Sequence, residues 1–259
     1  MLLNLLAFSG IASSQTVTSS LSFSAAGSFT NSVAESGSSL LIADNNLTNG
    51  YASGFDLTDA PASLAPSGPS GSAAFQWGNA STTSSYPHAS ALWFEPVSVN
   101  AVQPETFFTI GYLYYRNGTI VSNTGASGVN LNLALNFTNP SGISTQNTTF
   151  AQQLVNTPNT SDPVASADIV TLPNTASELT LTDASGRHYY LQMSFQVDQT
   201  TIDGTLSTPT QFKVFEGKQG SATLLGRFTT DPTPIVPEPS SALIAAVASI
   251  SFFRRRRAA

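Results

Sequence analysis

The chain has 259 residues, of which 9% are charged; 9 Lys and Arg face 15 Asp and Glu, giving a net charge of −6 with histidine neutral, and cysteine is absent. The lack of cysteine excludes disulfides, thiol catalysis and cysteine-held metals. Outside the four arginines at 254–257, the only cations are Arg116, Arg187, Lys213, Lys218 and Arg227. That set is too sparse for a nucleic acid or an anionic membrane as partner.

In chain order, Met1 to Phe8 is mostly apolar and is followed by the small residues of 9–14. Segment 1–14 therefore reads as the apolar and cleavage regions of a secretory signal peptide, with cleavage after Ala12 or Ser14. It lacks a basic leading region, which a start codon assigned too late would explain; a short buried strand is the alternative reading.

From residue 15 the pattern is that of strands. Short apolar runs fall at 16–23, 39–42 and 51–57, and 15–70 reads as the N-terminal strands of the body. Segment 60–72, rich in Pro, Gly, Ser and Ala, reads as a flexible connection. Strands are expected at 73–77 and 91–94. Segment 106–115 carries bulky groups on both faces, as a central strand would, and Asn117-Gly118 after it signals a hairpin.

Segment 129–137 puts every large apolar residue on odd positions, and 188–198 repeats the alternation with Tyr189, Leu191, Met193, Phe195 and Val197 inward. Weaker candidates lie at 148–155, 168–172, 178–181, 211–215 and 223–228. No stretch before the tail has a helical period of useful length. The expectation is an all-β, antiparallel two-sheet sandwich, jelly-roll-like, in one domain, with a hydrophobic C-terminal sorting helix.

Candidate chemistry is thin. His88 and His188 are the only histidines, and neither a Gly-x-Ser-x-Gly elbow nor a His-Glu-x-x-His helix occurs. No catalytic residue is assigned. A glycan hydrolase would need two facing carboxyl groups, and no spacing selects a pair among Glu95, Glu105, Glu178 and Glu216. Calcium is a minor candidate cofactor at Asp44-Asn45-Asn46 or at Asp162 with Asp168, against the plainer reading of Asx residues as turn formers. Trp77, Trp93 and Tyr86 are candidates for stacking on sugar rings, against core packing for both tryptophans.

The end of the chain is the most specific part. Segment 231–239 has four prolines in nine residues, which favours an extended spacer, and it contains Val236-Pro237-Glu238-Pro239. An apolar run of 13 residues, 241–253, precedes Arg254, Arg255, Arg256 and Arg257. As a helix that run is ~20 Å long, short of a comfortable span. Four arginines beside it favour retention on the cytoplasmic side, with the body across the membrane.

This three-part tail closely resembles the PEP-CTERM sorting signal of Gram-negative bacteria. The resemblance implies export, a transient inner-membrane tether through 240–257, and processing near Pro237-Glu238-Pro239 by an exosortase-type transpeptidase. Ala74-Phe75-Gln76-Trp77-Gly78, Leu92-Trp93-Phe94, Phe108 to Thr119, Asn156 to Pro163 and Ala167 to Val170 resemble successive landmarks of the choice-of-anchor K domain, assigned to 71–230. That family implies an extracellular β-rich domain shared among proteins with different anchors, and no reaction.

The expectation is a non-enzymatic cell-surface or extracellular-matrix protein. Its expected partners are the transpeptidase, the export machinery and, as a candidate, exopolysaccharide or matrix. A carbohydrate-binding module and a secreted glycan hydrolase are the alternatives.

Overall fold

The structure, a computed structural model, describes residues 15–16, 20–35, 40–158, 160, 162–197 and 204–233. The signal-like segment 1–14 and the sorting tail from 234 lie outside these residues. Among the described residues no helix is long and apolar enough to cross a membrane.

Two sheets face each other. The strands are β1 (Gln15–Thr16), β2 (Leu21–Ala34), β3 (Leu41–Asp44), β4 (Ala73–Trp77), β5 (Ser90–Pro96), β6 (Val99–Val102), β7 (Phe107–Asn117) and β8 (Ala126–Asn139). They continue with β9 (Gln146–Val155), β10 (Asp168–Thr171), β11 (Ala176–Thr182), β12 (His188–Phe195), β13 (Thr205–Ser207), β14 (Gln211–Val214) and β15 (Lys218–Thr229). The first sheet has the order β1-β11-β12-β15-β7-β5-β4-β3, the second β13-β14-β10-β9-β8-β2-β6. All pairings are antiparallel except the two-residue parallel contact of β1 with β11.

The alternation in β8 and β12 produces the inner faces. Val129, Leu131, Leu133 and Leu135 of β8 meet Tyr189, Leu191, Met193 and Phe195 of β12 in one core shared by both sheets. Strand β12 stops at Phe195, and Val197, expected inward, is exposed. Segment 106–115 is a central strand, as its two bulky faces suggest: β7 pairs with β5 and β15. A bulge reverses its faces, since Thr109 and Gly111 span two steps while their partners Leu225 and Leu224 span one. The extra residue moves the inward set from Phe108 and Ile110 to Leu113 and Tyr115, which a strict period of two does not describe.

Strand β2 runs 14 residues, far past the expected end at residue 23. Its next two inward positions after Phe23 are Ala25 and Gly27, too small to give an apolar signal before Phe29 resumes it. The reason is tertiary: a Cβ on Gly27 would stand 2.2 Å from the Phe94 ring of the facing sheet. Strands β2 and β3 join both sheets beside β8 and β4, so the N-terminal strands share the core of the later ones.

Three expectations are corrected. Segment 51–57 is not a strand but a series of turns, closed by Phe55 N–H donating to the Ala52 carbonyl. Segment 60–72 carries a fully buried Leu64 and is packed rather than loose. Asn117-Gly118 forms no hairpin: after β7 the chain crosses to β8 in the other sheet. Asn117 Nδ2 donates to the Val214 carbonyl at 3.0 Å, and Gly118 lies where a Cβ would be 2.1 Å from the His88 carbonyl oxygen. The Asn-Gly pair thus answers a close approach and not a tight turn.

The segment from Leu47 to Pro66 forms a flap over the outer face of the first sheet. Leu47, Phe55 and Leu64 make a second, smaller core with Ala74, Ala91 and Trp93, on the side of β4 and β5 that faces away from the sandwich.

Candidate functional site

Alternation along β4 and β5 decides where the two tryptophans go. Trp77 is fully buried in the main core, stacked on Phe75 at 5.3 Å and near Tyr115 at 5.6 Å. Trp93 is also fully buried, but in the second core, with Phe55 at 6.0 Å and the Arg116 guanidinium 5.4 Å over its ring. The two indoles lie on opposite faces of the first sheet. Tyr86 is elsewhere again, edge-on to His88 at 4.7 Å and donating its hydroxyl to Asp59. These three residues therefore form no common stacking platform.

What gathers around Tyr86 is a polar clamp that holds the flap. Arg116, fully buried, donates Nε to the Ala89 carbonyl at 2.8 Å and Nη1 to the carbonyls of Asp56 and Thr58, and its Nη2 lies 3.6 Å from Asp56 Oδ2. His88 Nδ1 is 3.0 Å from the same carboxylate oxygen. Burial opposes the Asp56 charge, but the Thr58 hydrogen bonds, the Arg116 charge and the His88 contact outweigh it and hold this carboxyl below its ordinary value. Arg116 Nε and Nη1 are thus satisfied by backbone carbonyls, while the partly exposed Asp56 carboxylate accepts from Thr58 N–H at 2.9 Å. His88 belongs to this clamp. His188 is exposed at the start of β12, with Nδ1 3.3 Å from the Leu179 carbonyl and 3.6 Å from Glu178.

The four glutamates of interest are dispersed. Glu95 accepts from Ser63 Oγ and the Tyr114 hydroxyl, both at 2.8 Å, on the outer face of the first sheet. Burial, and then the bond to and charge of Glu95, push the Tyr114 hydroxyl up to about 12, so it remains a donor. Glu105 accepts from Thr230 N–H at 3.0 Å. Glu178 is exposed on β11.

Only Glu216 enters a group of carboxyls, joining Asp168 and Glu35 around an open cavity of about 510 Å³ at one end of the sandwich. Asp168, on the first residue of β10, accepts from Thr157 N–H at 2.7 Å. Burial raises its pKa to about 7, with the Glu216 and Glu35 charges adding to the effect and the Thr157 bonds opposing it. Burial and the nearby Asp168 and Glu216 raise the Tyr115 hydroxyl well above its ordinary value.

The oxygen atoms proposed for calcium have backbone partners. Asp44 accepts from Asn46 and Ala52 N–H, and Asn45 bridges both backbone groups of Phe29. Asp162 accepts from Val164 N–H at 2.9 Å and Ala165 N–H at 3.3 Å. Asp162 and Asp168 thus fix separate turns. Among the described residues no three His, Asp or Glu side chains are grouped to hold one cation. Val236, Pro237, Glu238, Pro239 and Arg254 to Arg257 lie outside the described residues.

The grouping that sequence reasoning missed is on β7. Tyr112 and Tyr114, with ring centres 6.5 Å apart, stand on the outer face beside the flap. The alternating bulky residues of 106–115 were the available signal, but the bulge at residue 110 hid which of them faced out. No family model and no curated protein matches the chain.

Proposed function

We propose that this is an exported, non-enzymatic bacterial surface or extracellular-matrix protein, its β-sandwich delivered by a PEP-CTERM-like tail and released by an exosortase-type transpeptidase. The observation that carries the proposal is the order Val236-Pro237-Glu238-Pro239, the apolar run 241–253 and the arginine cluster Arg254 to Arg257. The body is the choice-of-anchor K-like portion, and a short sorting helix over 241–253 is its transient tether in the inner membrane. Four prolines in 231–239 favour an extended spacer around the proposed cut site.

The way the chain leaves the body supports this division of labour. Thr230 N–H is held by Glu105, and the Thr233 carbonyl accepts from Gln192 Nε2 at 2.7 Å. Gln192 is itself gripped by Arg227 through Nε at 3.0 Å and through Nη2 at 2.5 Å. The chain is pinned three residues before Val236, a gap of ~10 Å if extended.

Mass spectrometry of the C-terminus of the native protein tests the proposal. A mature form ending between Pro237 and Ser240 is expected. An intact arginine tail on the protein recovered from the cell surface or medium would refute it.

A further inference from the structure

Where β5, β7 and β15 pair, their outward side chains form three rows across the first sheet. Ala91, Arg116 and Gln219 make one row, Trp93, Tyr114 and Ser221 the next, and Glu95, Tyr112 and Thr223 the third. The flap covers the β5 end of these rows and stops partway. Trp93 is therefore fully buried and Tyr114 half-buried, while Tyr112 is 38% exposed. Between the flap edge at Pro61 to Ser63 and the exposed Gln219 and Ser221 of β15 lies an open groove of about 400 Å³, with Tyr114 and Trp93 in its lining.

The flap edge is a fixed wall. Leu64 is fully buried beneath it, the Tyr51 hydroxyl donates to the Leu64 carbonyl at 3.1 Å, and Ser63 Oγ and the Tyr114 hydroxyl converge on one oxygen of Glu95. A preformed wall spares a ligand the cost of ordering it.

We propose that this groove and the outer face beside it bind a neutral polysaccharide chain, with Tyr114 in the groove lining and the exposed Tyr112 next to it, its ring tilted 50° to that of Tyr114, as the surfaces on which sugar rings lie. Aromatic rings offer a flat apolar face with a wet polar edge, and a pyranose presents the matching pair: a face of C–H groups and a rim of hydroxyls. The Ser221 hydroxyl and the Gln219 amide supply donors and acceptors on one side, and the Ser63 oxygen, whose proton goes to Glu95, supplies an acceptor on the other.

Charge narrows the ligand. The one charged side chain that bonds to the groove lining is Glu95, and Arg116 in the adjacent row is buried and paired. An anionic polymer would find no exposed cation in the groove and would meet a carboxylate. Open ends suit a chain better than an enclosed small molecule.

The inference goes beyond the export proposal, and the two fail separately, since C-terminal processing and glycan binding are read by different measurements. The full chain, purified in mild detergent, would be run in native gels containing hydroxyethyl cellulose, galactomannan or dextran, with dextran sulfate as the charged comparison. Retardation by at least one neutral glycan is expected. Tyr112→Ala, which removes a largely surface ring, should weaken it roughly two- to tenfold, the worth of one stacked ring. Ser221→Trp, at an exposed position, should block the groove and abolish it; should Tyr112→Ala fail to fold, Ser221→Trp decides alone, with circular dichroism and melting temperature confirming the fold. Absence of retardation in every neutral gel, retardation that Ser221→Trp leaves intact, or retardation by dextran sulfate alone would overturn the proposal.

Discussion

Asp168 sets a pH dependence that a surface carboxylate would not. Its carboxyl, 5% exposed, has a pKa raised from 3.8 to about 7, chiefly by burial. A group whose folded value is raised contributes stability that is complete below its unfolded pKa. That contribution is lost as pH rises through the folded value. Asp168→Asn keeps an acceptor for Thr157 and cannot ionise. Relative to the wild type, the variant should therefore gain stability between pH 4 and pH 8, by about 4 kcal/mol for a rise from 3.8 to about 7 at ~1.4 kcal/mol per pKa unit. Urea unfolding at both pH values checks this; parallel wild-type and variant profiles would show that the carboxyl is not protonated in the fold. The sequence marked Asp168 as an Asx turn residue or a cation ligand. Its raised value comes from burial and, to a lesser degree, from Glu216 and Glu35, 48 and 133 residues away in the chain, and no local pattern carries that information.

At the scale of elements, the flap shows how a loop-like sequence becomes part of a fold. The Pro, Gly and Ser content of 60–72 reads as punctuation, yet Leu64 fills a gap between Phe55 and Trp93 in the second core. Leu64→Ala should cost about 2–4 kcal/mol at that site, through lost burial and the cavity left behind. The loss should be local first, because the flap joins the sheet mainly through this small core and the Arg116 clamp. Hydrogen exchange should show faster exchange across 47–66 while β8 and β9 keep their protection; equal acceleration throughout would mean that the flap unfolds only with the sandwich. Strands β8 and β12 were legible because leucine, tyrosine, methionine and phenylalanine mark every second inward position. Strands β2 and β9 were harder to read, since inward sites hold Ala25 and Gly27 in one and Gln146, Thr148 and Gln152 in the other.

For the whole molecule, the proposed export rests on an electrostatic asymmetry in the tail. Replacing Arg254 to Arg257 by serine removes four positive charges that the positive-inside bias would hold in the cytoplasm. Membrane retention should fall and more protein should reach the medium. Fractionation of host cells measures this directly, and unchanged partitioning would place the retention signal elsewhere. The three-part order of the tail was the most readable part of the chain, because the sorting signal proposed for it is a linear pattern. The groove on β7 was not readable, because it is made by three strands and a flap whose proximity no single segment encodes.

Local chemistry alone therefore determined the β character, the inward sets of β8 and β12 and the three-part order of the tail. Side-chain alternation, turn residues and charge runs are properties of neighbours in the chain. Tertiary structure decided that Trp77 and Trp93 are buried on opposite faces, that the bulge in β7 turns Tyr112 and Tyr114 outward, and that Asp168 meets two other carboxyls. Each of those outcomes depends on which strands pair and on what covers a face, and so on contacts between residues far apart in sequence.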